Sequence, residues 1–102
     1  MPIVAKPLSK QEIKNLLRQV SRELKHKYGV SRIGLFGSLV REDEQIVRDV
    51  DLLVEFERPA GLLFIHLADY LEEILGRPVD LVTLRAIKEN WRASVLADVE
   101  YV

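Results

Sequence analysis

Asp49 and Asp51 stand two positions apart at the head of an apolar run, Asp49-Val-Asp-Leu-Leu-Val-Glu-Phe56. Side chains of a strand alternate between faces, so the two carboxylates point to one side, about 7 Å apart along the chain. Carboxylates placed in this way repel each other unless a cation lies between them or one keeps its proton. Oxygen-only ligands suit Mg2+, which takes one or two carboxylates and fills its shell with phosphate oxygens and water. A third acid, Asp80, lies in a second short apolar run, Pro78-Val-Asp-Leu-Val82. If that run pairs beside the first, three acids converge. Such a trio can hold two ions about 4 Å apart for in-line displacement at phosphorus.

Gly37-Ser38, separated from Asp49 by ten residues, offers the complementary half. A glycine after a strand lets the backbone approach a phosphate closely, and a serine can cap a short helix whose amides receive an anion. Arg41 lies one turn on and can face the same phosphates as a positive charge. Each piece has a plainer reading. Gly-Ser after a strand is often a turn, Asp-x-Asp a solvated strand start, and Asp80 a residue following Pro78 in a turn. Their order on successive elements gives them chemical meaning.

The surrounding sequence supplies those elements. Ser9-Lys-Gln-Glu12 fits a capping box. Apolar residues at Ile13, Leu16, Leu17, Val20 and Leu24 then keep helical spacing up to a stop at Gly29. Arg32–Phe36 reads as a short strand, Asp49–Phe56 as a second broken by Arg58-Pro59, and Pro78–Val82 as a third. A helix is expected over Leu62–Leu75, ending at Gly76, and another from about Leu84 to Ala97, with Val99–Val102 as a final short strand. This order predicts an α/β (α+β) domain: a small mixed sheet with helices packed mainly on one face. The alternating charges over residues 10–27 read as a solvated helix face. Tyr28 and Tyr70 read as packing residues and His66 as an edge or packed histidine, while Trp91 and Tyr101 are core or interface aromatics.

Composition sets the bounds. The chain has 102 residues, with 15 Lys plus Arg against 16 Asp plus Glu, and no cysteine. One domain is expected, residues 9–102, preceded by a two-proline arm at 1–8. The absence of cysteine excludes disulfides, thiolate metal sites and cysteine nucleophiles. A net charge of −1 argues against a dedicated nucleic-acid binder. Apolar runs too short to span a bilayer, and an N-terminus without a signal pattern, predict a cytoplasmic protein with no membrane association.

Leu35-Phe-Gly-Ser38, the ten-residue interval, Asp49–Phe56 and Pro78–Val82 together resemble a minimal nucleotidyltransferase of the DNA polymerase β-like superfamily, from about residue 10 onward. The resemblance implies a nucleoside triphosphate held by Gly37 and Ser38, with Arg41 beside it, and Mg2+, two ions, on Asp49 and Asp51. Asp80 would complete the site as metal ligand or as base for the attacking hydroxyl. Small members of the family pair with a HEPN-domain ribonuclease toxin and act as its antitoxin. By this resemblance the chain is an antitoxin of a type VII-like pair that transfers AMP from ATP to a tyrosine of the toxin within a hetero-oligomeric complex. The alternative is a catalytically silent antitoxin that neutralises by binding alone; a small-molecule acceptor is a third reading, disfavoured by the lack of an acceptor-binding domain. Many relatives carry a serine where this chain has Arg48, and a glycine where it has Glu42.

Overall fold

The computed structural model describes residues 8–37 and 49–102. The Ser9 capping box is formed: the Glu12 amide donates to Ser9 Oγ at 3.1 Å, and the Ser9 amide donates to Glu12 Oε1 at 3.4 Å. From it runs α1 (Lys10–Gln19), and after a bend at Val20 comes α2 (Ser21–Tyr28). The single helix expected over this stretch is thus two. Val20 sits at φ −102°, ψ 10°, outside the helical well, although its carbonyl still accepts the Leu24 amide at 2.9 Å. The bend falls between Ile13 and Leu17 on one side and Leu24 and Tyr28 on the other, and all four are buried.

The chain continues through β1 (Val30–Leu35), β2 (Val50–Phe56), α3 (Leu63–Leu75) and β3 (Val79–Val82). A 3-10 turn (Leu84–Ala86), α4 (Glu89–Asp98) and β4 (Glu100–Tyr101) follow. The four strands form one sheet in the order β3-β2-β1-β4. β1 pairs antiparallel with β2 and with β4, and β2 pairs parallel with β3 through the α3 crossover, so the sheet is mixed. The expected helix from Leu84 is interrupted at Ile87, which is extended, and at Lys88 (φ −55°, ψ 138°), which is also non-helical. Arg92 holds the bend: its Nε donates to the carbonyls of Leu84 and Ile87, each at 3.1 Å.

One face of the sheet carries the core. Val50, Leu52 and Val54 of β2, Ile33 and Leu35 of β1 and Leu81 of β3 form one cluster with Ile13, Leu17, Leu24, Leu67, Leu71 and Leu75 from α1 to α3. Each such leucine or valine contributes roughly 1.5–3 kcal/mol by leaving water. Tyr28 stacks on Tyr70 at 5.4 Å, joining α2 to α3, and Tyr70 donates to Glu23 at 2.7 Å. Lys10 and Lys14 of α1 pair with Glu100 of β4 at 3.0 and 2.8 Å, tying the last strand to the same layer. His66 is exposed on α3 and Trp91 on α4, while the charged side chains of α1 and α2 largely face solvent. No helix among the described residues is long and apolar enough to cross a membrane.

Candidate active site

The other face of the sheet is built from the intervening residues. Parallel pairing sets Asp51 directly opposite Asp80, one strand spacing (about 4.8 Å) away, with both side chains on the face turned from the core. Asp49, in the bend just ahead of β2, is exposed, and its charge reaches Asp51. The three acids expected from the sequence are therefore near neighbours. Their mutual influence shows at Asp51, whose carboxyl is raised above its ordinary value by partial burial first, then by the negative charges of Asp80 and Asp49.

Among the described residues, ion pairs join Lys10 and Lys14 to Glu100, Lys27 to Glu23 and Arg32 to Glu55, and none reaches the three aspartates. Nor, among these residues, do three acidic or histidine side chains gather closely enough to hold one metal ion. The donor set consists of hard carboxylate oxygens, and a divalent cation would offset the repulsion that, after burial, raises Asp51. The chemistry of the site thus fits Mg2+.

Gly37 closes the site from β1. The Phe36 amide donates to the Asp51 carbonyl at 3.2 Å, carrying the chain over β2, and Gly37 follows at φ +72°. A Cβ at this position would lie 2.7 Å from Asp51 Oδ2. The left-handed backbone favours glycine here, and a Cβ would displace the Asp51 carboxylate that the backbone now touches. Ser38 and Arg41, the other two candidates for phosphate contacts, lie outside the described residues, as do Glu42 and Arg48.

Sequence reasoning did not single out Gly34, which fixes the far side of this face. It pairs with Tyr101 of β4, and a Cβ on it would stand 2.8 Å from Val99 Cγ2 and 2.9 Å from the Glu100 carbonyl. The readable signal was a glycine inside an otherwise β-like run. Tyr101 lies on this outer face, where it donates to Glu55 at 3.0 Å beneath the Arg32 guanidinium, 4.2 Å from its ring centre. Burial and the Glu55 hydrogen bond push the Tyr101 hydroxyl up. It therefore serves as a neutral donor that holds β4 in place.

This arrangement has known counterparts. A family model described as a nucleotidyltransferase domain matches residues 17–100. The protein adenylyltransferase MntA of Thermococcus cleftensis is 44% identical over 96 residues, covering 93% of this chain and 97% of that protein. A solved structure assigned as a minimal nucleotidyltransferase superposes with a TM-score of 0.73 at 30% identity, covering 91% of this chain and 95% of its own. Two crystal structures of toxin–antitoxin complexes are each 25% identical, one of MntA with its toxin (TM-score 0.61) and one with AMP-PNP (0.62). They cover 93% and 92% of this chain, and 72% of each matched chain. An acidic outer face, a glycine wedged against its central carboxylate and a mixed sheet in this order are how such a chain is built, and it belongs to the nucleotidyltransferase domain family, as a minimal nucleotidyltransferase on the polymerase β-like fold.

Proposed function

We propose that this chain is a Mg2+-dependent protein adenylyltransferase, the antitoxin of a toxin–antitoxin pair, which moves AMP from ATP to a tyrosine of a HEPN-domain ribonuclease toxin. The observation that carries the reading is the pairing of Asp51 with Asp80 on the outer face, with Asp49 beside them and the Gly37 backbone against Asp51. The relatives add two supports: one carries the name protein adenylyltransferase, and a matched toxin–antitoxin structure holds AMP-PNP. The tyrosine acceptor and the HEPN partner rest on the resemblance of the sequence motifs to the family.

In this reading Asp49 and Asp51 hold the ions, and Asp80 completes the site as the base. Bound there, Mg2+ supplies positive charge to the triphosphate oxygens. Gly37 keeps the backbone close against Asp51 beside the triphosphate, and Ser38 and Arg41 contact its phosphates. The acceptor hydroxyl oxygen attacks the α-phosphorus in line with the bond to the β-phosphate. That bond breaks, pyrophosphate leaves with its electron pair, and Asp80 takes the hydroxyl proton. Positioning and charge neutralisation carry most of the rate enhancement.

The test is the intact mass of the partner encoded beside this chain, co-expressed with the wild type or with Asp49→Ala plus Asp51→Ala. Mass added in steps of one AMP with the wild type alone is the expected result. An unmodified partner that still co-purifies tightly would replace this reading with neutralisation by binding. Transfer at the wild-type level by the double variant would overturn the site.

A further inference from the structure

At the opposite end of β2 from the aspartates, the chain forms an open cleft of about 480 Å³. Phe56 and Phe64 line it, with ring centres 6.3 Å apart, together with Gly61, Thr83, Arg58 and Arg85. Five residues along β2 place Phe56 about 17 Å from Asp51, and three along the β3 direction place Thr83 about 10 Å from Asp80. It therefore belongs to a different region from the candidate active site. Arg58 and Arg85 are both exposed, and neither has an ion-pair partner among the described residues. The start of α3, which follows Gly61 in the chain, exposes Leu62, Leu63 and Ile65, with Leu62 at 74%. Two arginines outside any ion pair among the described residues, near exposed aliphatic residues at the start of α3, make a surface suited to acidic and apolar groups together.

We infer that this cleft docks a protein segment in which acidic residues flank a bulky apolar side chain. The carboxylates would meet Arg58 and Arg85, in the forked geometry that guanidinium groups favour, and the apolar side chain would lie over Phe56 and Phe64. Charge complementarity selects the occupant. A nucleic-acid strand would want a longer cationic track than two arginines and open ring faces for stacking. Here the rings pack against each other at 59° and the flanking surface is aliphatic. A partner held at this end of the sheet leaves the acidic face open. The inference stands independently of what that face transfers.

The test uses the isotope-labelled full chain and follows its amide resonances during titration with four probes. These are a peptide with glutamates flanking a Leu-Phe pair, its counterpart with lysine for glutamate, inorganic phosphate, and a short oligouridylate. The expected result is that the acidic peptide alone shifts the resonances of 56–64 and 83–85 and leaves those of Asp49 and Asp80 in place. Arg58→Glu with Arg85→Glu should weaken that peptide by about tenfold or more and admit the lysine peptide instead. The gain of the lysine peptide distinguishes a reversed surface from a damaged fold. No shift with the acidic peptide, an affinity indifferent to the charge reversal, or a stronger response to phosphate or oligouridylate would each overturn the inference.

Discussion

Alternate residues of β2 face opposite sides of the sheet, with Leu53, between Asp51 and Glu55 on the outer side, itself fully buried. Val50, Leu52 and Val54 are fully buried beneath α1, α2 and α3, where nothing but apolar contact is asked of them. Asp51 and Glu55, in the same strand, lie half-buried on the other face, among Asp49, Asp80, Arg32 and Tyr101. The inner face gains free energy by excluding water. The outer face spends some of it, since Asp51 is held above its ordinary protonation range by burial and by its like-charged neighbours. A period-two strand lets one element do both, and changes one residue apart should therefore have opposite phenotypes.

The sharpest way to break the comparison is on the acidic face. Asp80→Asn removes the carboxylate opposite Asp51 and, with it, the proposed base. Transfer should fall by about 10²–10³-fold or more, measured as AMP incorporated into the partner, with the melting temperature unchanged or raised. On the inner face, Leu17→Ala empties a fully buried site and should cost about 2–5 kcal/mol in denaturant unfolding. Transfer per folded molecule should survive it. Gly37→Ala tests where the two regions meet. The positive φ and the 2.7 Å approach to Asp51 Oδ2 should together cost about 1–3 kcal/mol in the same unfolding experiment, and should also lower transfer.

The smallest effect is in acid, and the two faces give it opposite signs. Asp51 binds its proton more tightly in the native state. Its contribution to stability therefore falls as pH rises from its ordinary value through its raised one. Glu100 is held low by its hydrogen bonds from Lys14 and Lys10. Its contribution is present above its ordinary value and is lost as pH falls through the lowered one. Thermal melts across the acid range should show the advantage of Asp51→Asn over the wild type shrinking as pH falls. The penalty of Lys14→Ala should shrink over the lower window set by Glu100.

Much of this was legible where local chemistry decides it. Ser9 and Glu12 announced the start of α1, Gly29 and Gly76 the ends of α2 and α3, and the spacing of Asp49 and Asp51 put the charge of one within reach of the other. The meeting of Asp51 with Asp80 was only conditional in the sequence, because strand order and register are set by contacts between distant residues. The bends at Val20 and at Ile87-Lys88 involve neither glycine nor proline. They follow from packing and, at the second, from the Arg92 side chain taking up the carbonyls of Leu84 and Ile87. The arginine cleft joins residues from β2, the start of α3 and the turn after β3, so no local pattern announced it.

The most direct measurement compares Asp51→Asn and Leu52→Ala, neighbours in one strand, in a single experiment that records both the melting temperature and AMP transfer to the co-expressed partner. The two effects should cross. Asp51→Asn should melt at or above the wild type and transfer nothing, and Leu52→Ala should melt well below it and keep its transfer per folded molecule. Wild-type transfer by Asp51→Asn would contradict the assignment of the acidic face as the catalytic one.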